Sequence, residues 1–390
     1  MRGVAGALAL GAAVASIGYT AVAVARVLAF ARRLERRRIA RGRRGASSDP
    51  RPSVTILKPV RGLERGLHAN LASFCAQDYP AYDVVLGTRD PNDPALPVLH
   101  AVARAARAPT TVVNGDGTAR FRNPKISTLA PMLPYATGEI VAISDSDMRV
   151  EPDYLDAIVA PFANPHVGAV TCLYRGEPAT DSLASTLGAM WITEQFVPQA
   201  LIARDLEPTT YCFGATMAVR RDVLDRIGGL DALGDHLADD HELGRAVAAA
   251  GARVVIADYA VAAYVDEESI GALLRHELRW ARTIRSLRPA GYVGVALTYP
   301  VPLALLAAAL ARRTGVALAV VASAFALRLA MHASTHALTS PRAHRPALLP
   351  LRDALGFAVW CAGLFGSTVR WRDARMALRG TSRPNPPETH

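Results

Sequence analysis

The chain has 390 residues, 51% hydrophobic and 6% aromatic, with a formal net charge of +10 and a mean hydropathy of +0.17. That length accommodates one sizeable core plus membrane segments. The charge excess is local, with eight arginines against the single acid Glu35 between Arg32 and Arg44; the rest is close to neutral, which argues for a membrane surface and against nucleic acid as the partner.

Residues 3–25 are a run of 23 without a charge, and an apolar helix needs about 20 to cross the hydrocarbon core. A cleaved signal peptide is the competing reading, since Ala21-Val22-Ala23 resembles a cleavage site, but the run is longer than the apolar region of such peptides. The arginine cluster behind the run, against Arg2 before it, places the domain after the cluster on the cytoplasmic side. The expected organisation is an anchor over 1–31, a basic juxtamembrane linker over 32–50, a cytoplasmic domain over 51–288, membrane or interfacial segments over 289–371, and a basic, Pro-rich tail over 372–390.

Within 51–288, short apolar runs predict strands at 53–57, 83–87, 110–113, 139–143, 167–173 and 253–257, with helix-length segments at 67–76 and 96–106 between the first of them. Strand, helix, strand in this rhythm predicts a mostly parallel sheet flanked by helices. Ligands of such sheets bind beyond the carboxyl ends of the strands, and there the chain places Asp90-Pro91-Asn92-Asp93 and Asp145-Ser146-Asp147. Residues 289–311 read as a second span; 314–341, which contains Arg328, and 354–369, only 16 uncharged residues long, are less regular. If all three crossed, the basic tail would end outside, so one of the last two is expected to be re-entrant or interfacial. Cys75, Cys172, Cys212 and Cys361 have no metal-site or Cys-x-x-Cys spacing, which fits a reducing compartment.

Asp145-Ser146-Asp147 supplies two carboxylates just past an apolar strand. Mg²⁺ or Mn²⁺ takes one or two carboxylates plus substrate phosphate oxygens, so the pair suits a metal on a diphosphate; it also suits an ordinary solvated turn. Asp239-Asp240 opens a helical stretch, either as a helix cap with a first-turn acid or with one member as a general base. His276-Glu277-Leu278-Arg279-Trp280 stands just before the second apolar run. It reads either as an interfacial basic helix or as a box in which Arg279 neutralises a diphosphate and Trp280 packs beneath an acceptor. The helical segment 183–203 holds Met190, Trp191, Ile192 and Phe196, which suits a core face or a lipid entry. The only two lysines, Lys58 and Lys125, both fall within motif-like stretches.

Taken together, an Asp after the second strand, an Asp-x-Asp, an Asp-Asp pair and an Arg-Trp box resemble the family 2 and family 21 glycosyltransferases. More closely the chain is similar to ceramide glucosyltransferases and to the bacterial hopanoid-biosynthesis-associated glycosyltransferases. Val54-Thr55-Ile56-Leu57-Lys58-Pro59, Asn123-Pro124-Lys125, Phe213-Gly214-Ala215-Thr216-Met217 and His236-Leu237-Ala238-Asp239-Asp240 add to the likeness. The resemblance implies a nucleotide-sugar-binding domain of the glycosyltransferase A type with N- and C-terminal transmembrane helices. The enzyme would be an inverting, UDP-sugar-dependent hexosyltransferase acting on a lipid hydroxyl at the bacterial inner membrane. By the same resemblance Asp93, Lys125 and Asp145 contact the donor, Asp145 and Asp147 hold Mg²⁺ or Mn²⁺, Asp240 is the base, and His276, Arg279 and Trp280 form the diphosphate and acceptor box; Trp191, from its place on the apolar segment 183–203, is the candidate for a further acceptor contact. His276 departs from the family's usual Gln or Arg. The ceramide branch often lacks the second acid of Asp-x-Asp, so Asp147 points to the hopanoid branch and to transfer of N-acetylglucosamine from UDP-N-acetylglucosamine to bacteriohopanetetrol. Glucosyl transfer to ceramide or another sphingoid or diacylglycerol lipid is the alternative, and a non-catalytic scaffold binding nucleotide or anionic lipid is the rival of another class.

Overall fold

The computed structural model describes residues 2–43, 51–310, 314–366, 368–371 and 374–377. Residues 44–50 of the expected linker and most of the 372–390 tail lie outside the described residues.

Eight strands form one sheet: β1 (Val54–Val60), β2 (Tyr82–Thr88), β3 (Thr110–Asn114), β4 (Ile140–Ile143), β5 (Met148–Arg149), β6 (Val167–Pro178), β7 (Met217–Arg220) and β8 (Arg253–Val265). A hairpin of β9 (Thr368–Trp371) and β10 (Ala374–Ala377) stands apart. In chain order the helices are α1 (Arg2–Arg43), α2 (Leu67–Phe74), α3 (Leu96–Ala105), α4 (Pro124–Leu129), α5 (Tyr154–Val159), α6 (Leu183–Trp191), α7 (Val197–Leu206), α8 (Arg221–Arg226), α9 (Asp239–Ala249), α10 (Ile270–Leu287), α11 (Pro289–Gly294), α12 (Pro300–Leu310), α13 (Thr314–Ser334) and α14 (Leu349–Gly363).

The strand order is β3-β2-β1-β4-β7-β6-β8-β5. Chain order runs outward from β1 to β3 on one side and resumes with β4 on the other, which makes the β1/β4 boundary the switch point where an open α/β sheet opens a crevice. Lys58, Pro59 and Val60 extend β1 past its last pairing with β4, Leu57 to Ile143. Pro59, which has no N–H to donate, falls where β4 has already ended. Every residue of β1 is buried, as expected of a central parallel strand.

The predicted parallel half is present as β1, β2, β3 and β4. The other half is mixed: β7 runs antiparallel to both β4 and β6, and β5 antiparallel to β8. The domain is therefore a mixed α/β sheet flanked by helices, with apolar residues of both sheet faces packed beneath those helices.

Helix α1 passes without a break through the arginine-rich stretch up to Arg43, so what reads as a linker continues the anchor's helix there. Two described helices are long and apolar enough to cross a membrane, within Val4–Ala40 and Gly315–Ser334. The expected straight span over 289–311 is instead bent by 76° between Pro289–Thr298 and Pro300–Leu310. Pro300 accounts for the break, because its ring disfavours helical geometry at Tyr299 and it donates no backbone hydrogen bond. The last apolar segment folds as the 15-residue α14, too short to cross alone.

Candidate functional site

The site forms at the switch point from four loops. Past β4 the chain turns through Asp145, Ser146 and Asp147, where the Asp145 carbonyl accepts the backbone N–H of Met148. Past β1 it passes Gly62, whose left-handed φ of 73° suits a glycine, and reaches Glu64, which accepts a hydrogen bond from Ser146 Oγ at 2.7 Å. Helix α4 is started by Asn123, whose Oδ1 accepts the backbone N–H of Lys125 at 2.8 Å, with Pro124 at the first helical position. That cap aims Lys125 at the strand ends. The fourth loop precedes α9 and carries Asp239 and Asp240.

The chain's two lysines converge on one aspartate. Lys125 Nζ lies 2.7 Å from Asp145 Oδ1 and 3.3 Å from Asp239 Oδ2. Lys58, fully buried in β1, donates to the Asp145 carbonyl and lies 3.7 Å from the centre of the Phe74 ring. Burial lowers the Lys58 ammonium to about 7, against the upward pull of Asp145, Asp147 and Glu64. Lys125 is raised by Asp145 and Asp239 in spite of the opposing effect of burial, the largest single influence on it.

Asp239 is buried and turns to Asn123, whose Nδ2 donates to its Oδ1 at 3.2 Å. It does not cap α9; the residue at the cap position is Ala238, without a side-chain bond. Asp240 is half-buried and accepts two backbone donors, Gly214 N–H at 3.0 Å on Oδ2 and His241 N–H at 2.8 Å on Oδ1. Burial, then the charge of Asp239, pushes its carboxyl up to about 6, while Lys125 and the His241 N–H pull the other way. A half-buried carboxylate poised near 6 suits a general base at neutral pH. Gly214 ties the two acidic loops together: its N–H bonds Asp240, and a Cβ built there would stand 2.8 Å from Asp145 Oδ2, so a larger residue would have to push the Asp145 carboxylate aside.

Asp147 fits a cation by its chemistry. Burial, then Asp145 and Glu64, pushes its carboxyl up to about 7, a crowding of negative charge that a bound divalent ion relieves. Among the described residues no set of three His, Cys, Asp or Glu side chains forms a complete metal cage.

Asp93 lies apart from this cluster. Both its oxygens accept Gly62 N–H at 3.0 Å, and Oδ1 also accepts Ala95 N–H at 2.9 Å, so it braces the loop after β1 against the loop after β2. On α10, His276 meets Glu267, and the hydrogen bond from His276 holds the Glu267 carboxyl below its usual range. Trp280 packs against His276, 4.2 Å between centroids, and stacks on Trp191 of α6 at 5.2 Å and 26°. The structure therefore brings Trp191 to the Arg-Trp box.

Tyr174 of β6 was not foreseen. Its hydroxyl is raised by burial first and then by Asp240, Asp145 and Asp147, with Arg279 opposing, so one phenol feels both the acidic cluster and the arginine of the box. Its ring stacks on Phe196 at 4.2 Å. No sequence signal marks it, since a tyrosine in an apolar strand reads as core. Glu64 was missed as well, because a lone acid in a Gly- and Arg-rich loop carries no pattern.

The sequence profile described as Glycosyl transferase family 21 matches residues 9–383. Ceramide glucosyltransferase 1 of Caenorhabditis elegans is 22% identical over 209 residues, 53% of this chain and 44% of that protein. Ceramide glucosyltransferase of Gibberella zeae is 32% identical over 134 residues, 32% of this chain and 25% of that protein. The chain spans about half the length, or less, of the curated relatives it matches. Among solved structures, the mannosyltransferase PcManGT from Pyrobaculum calidifontis in complex with GDP-Man and Mn²⁺ is 22% identical, with 91% of this chain and 99% of that one covered and a TM-score of 0.48. S. aureus TarS 1-349 in complex with UDP-GlcNAc is 14% identical, with 85% and 100% covered and a TM-score of 0.41.

Proposed function

The chain belongs to glycosyl transferase family 21, and from that premise we propose that it transfers a sugar, with inversion, from a UDP-sugar to the hydroxyl of a membrane lipid. The observation that carries this is the meeting of Asp145, Asp239, Asp240 and both lysines at the β1/β4 switch point. Asp240 takes the proton of the acceptor hydroxyl as the oxygen attacks the anomeric carbon and the bond to the diphosphate breaks, giving a β-glycoside from an α-linked donor. Lys125 holds Asp145 and Asp239 in place, and Arg279 faces the charge that grows on the leaving UDP. Asp93 fixes the floor of the uridine side through Gly62. A divalent cation held by Asp145 and Asp147 supplies positive charge to the diphosphate when bound.

Two donor and acceptor pairs fit this reaction. The second acid of the motif, Asp147, supports N-acetylglucosamine transfer to bacteriohopanetetrol. The relatives named ceramide glucosyltransferases support glucosyl transfer to ceramide or a similar lipid. In either case two helices long and apolar enough to cross a membrane support a membrane enzyme, and the arginines behind the first of them favour a catalytic domain on the cytoplasmic side of a bacterial inner membrane. A silent scaffold gains nothing from carboxylates gathered around Lys125 with Asp240 beside them.

The test is the purified chain in lipid nanodiscs with UDP-N-acetylglucosamine or UDP-glucose, offered bacteriohopanetetrol or ceramide, with mass spectrometry of the lipids. One pair should yield a β-linked monoglycosyl lipid that depends on Asp240. No glycolipid from any pair overturns the proposal.

A further inference from the structure

A closed circuit of buried charges ties the C-terminal helices to the aromatic residues beside the site. Glu277, inside the Arg-Trp box, is 2% exposed and holds Arg352 of α14 through two bonds of 2.7 and 2.8 Å. Arg352 also donates to the Leu187 carbonyl of α6 at 3.2 Å. The next residue on α14, Asp353, holds Arg328 of α13 at 2.8 and 3.0 Å. Arg328 reaches on to Glu194 at 2.7 Å, and Glu194 meets His332 at 2.7 Å. Glu194 lies in the π-helical turn Ile192–Phe196, between Trp191, which stacks on Trp280, and Phe196, which stacks on Tyr174. The circuit thus returns to the box it started from.

Buried ion pairs add little stability compared with apolar residues of the same shape, and ionisable groups on a helix long enough to cross a membrane, as α13 is, are costly. Glu194, Glu277, Arg328, Arg352 and Asp353 are all 4% exposed or less, so five charges are spent where apolar packing could hold the helices. A π-turn, itself an irregularity concentrated at functional sites, sits at the end of the circuit.

We propose that Glu277, Arg352, Asp353, Arg328 and Glu194 are positioning residues that set the Trp191–Trp280 pair as the floor for the lipid acceptor. This rests on the lipid-acceptor reading above. Bonds of fixed geometry specify the angle between α10 and the α6 turn, which apolar contacts leave adjustable. The membrane helices are then part of the acceptor site as well as its anchor.

The test compares the full chain in nanodiscs with the double variant Glu277→Gln/Arg352→Met, which leaves no unpaired charge, and with Glu194→Gln. Two readouts are taken: kinetics with each substrate varied, and the near-ultraviolet circular dichroism couplet of the stacked tryptophans, tractable because the chain has only 4 Trp. The expected result is an apparent KM for lipid raised, or kcat lowered, on the order of tenfold or more, with the KM for UDP-sugar unchanged and the couplet weakened. Folded variants with parental lipid kinetics and an intact couplet overturn the proposal, as does equal loss toward both substrates together with a lowered melting temperature. If the double variant does not fold, Arg352→Lys, which keeps the charge and loses the two-bond geometry, and Glu194→Gln decide by the same criteria. If the parent glycosylates no lipid, the functional reading fails by itself, and the couplet still decides whether the circuit orients the tryptophans.

Discussion

Asp240→Asn removes the proposed base while keeping the size of the side chain. The carboxylate now serves two backbone donors, Gly214 N–H at 3.0 Å and His241 N–H at 2.8 Å. An amide has one acceptor oxygen, so one of these donors comes to face an NH₂ group. A lost hydrogen bond of this kind costs about 1–3 kcal/mol of stability, a few degrees in melting temperature. The catalytic cost is larger, since a positioned base contributes about 10²- to 10⁴-fold, or about 3–5 kcal/mol in the barrier. The expected result is therefore a folded protein whose kcat falls by at least about two orders of magnitude while UDP-sugar binding, followed by calorimetry, is nearly kept. The pH profile adds a sign. A base works ionised, and burial with Asp239 holds Asp240 up at about 6, so kcat/KM of the parent should fall as pH drops through about 6. The residual activity of Asp240→Asn should lack that acid limb. Turnover within about tenfold of the parent, or an unchanged acid limb, would refute the assignment and make Asp239 the next residue to test.

Gly214→Ala puts a methyl 2.8 Å from Asp145 Oδ2 and 3.5 Å from Lys125 Nζ; displacing the carboxylate by a few tenths of an ångström should lower kcat/KM about tenfold or more, and parental kinetics would show that the Asp145 position is not critical. Activity should vanish in EDTA and return with Mg²⁺ or Mn²⁺, and Asp147→Ala should raise the KM for UDP-sugar by about tenfold or more; full activity in EDTA sinks the metal assignment. Trp191→Ala should raise the KM for lipid with little change for UDP-sugar, because it removes half of the stacked pair. Equal damage to both, or loss of expression, would assign Trp191 to the fold.

The parallel half of the sheet was legible because it obeys local rules. Strands β1 to β4 are short apolar runs between helix-length segments, and their observed bounds differ from the expected ones by a few residues at most. Strand β7 was not legible: four residues, Met217–Arg220, pair on both sides only because β4 and β6 are brought to them. The two-residue β5 depends in the same way on β8. The residues expected at the site could be picked out by type and by their place after strands. Which of them touch could not, since the contacts of Lys125 with Asp145 and Asp239 join residues far apart in the chain. Of the membrane part, the long apolar helices within Val4–Ala40 and Gly315–Ser334 were legible by length, and the 76° bend between Pro289–Thr298 and Pro300–Leu310 was not. Arg328 reads as an interruption of an apolar run, and its partners Glu194 and Asp353 lie in separate segments that no periodicity connects.

The arginine-rich stretch behind the first apolar run takes on a mechanical role once α1 is seen to be continuous. Its apolar window lies within Val4–Ala40, 37 residues. At about 1.5 Å per residue such a helix is about 55 Å long, against a hydrocarbon core of about 30 Å, so a helix of this length that crosses the bilayer would extend well beyond it. On its arginine-rich part Arg33 pairs with Asp258 of β8 at 2.9 Å, and Arg37 with Asp153 at the start of α5 at 3.1 Å. Arg37 also lies over the Tyr259 ring at 5.3 Å. The half-exposed Arg33–Asp258 pair is weak alone, within about 1 kcal/mol, while the Arg37–Asp153 pair is more deeply set, its side chains 23% and 11% exposed. Set on one rigid helix they fix the height and tilt of the sheet relative to the apolar segment. On the proposed reaction, a lipid hydroxyl that meets Asp240 without its tail leaving the bilayer needs that height to be constant. A flexible tether of equal length would let the catalytic domain drift by many ångströms, and the effective concentration of the acceptor at the base would fall accordingly.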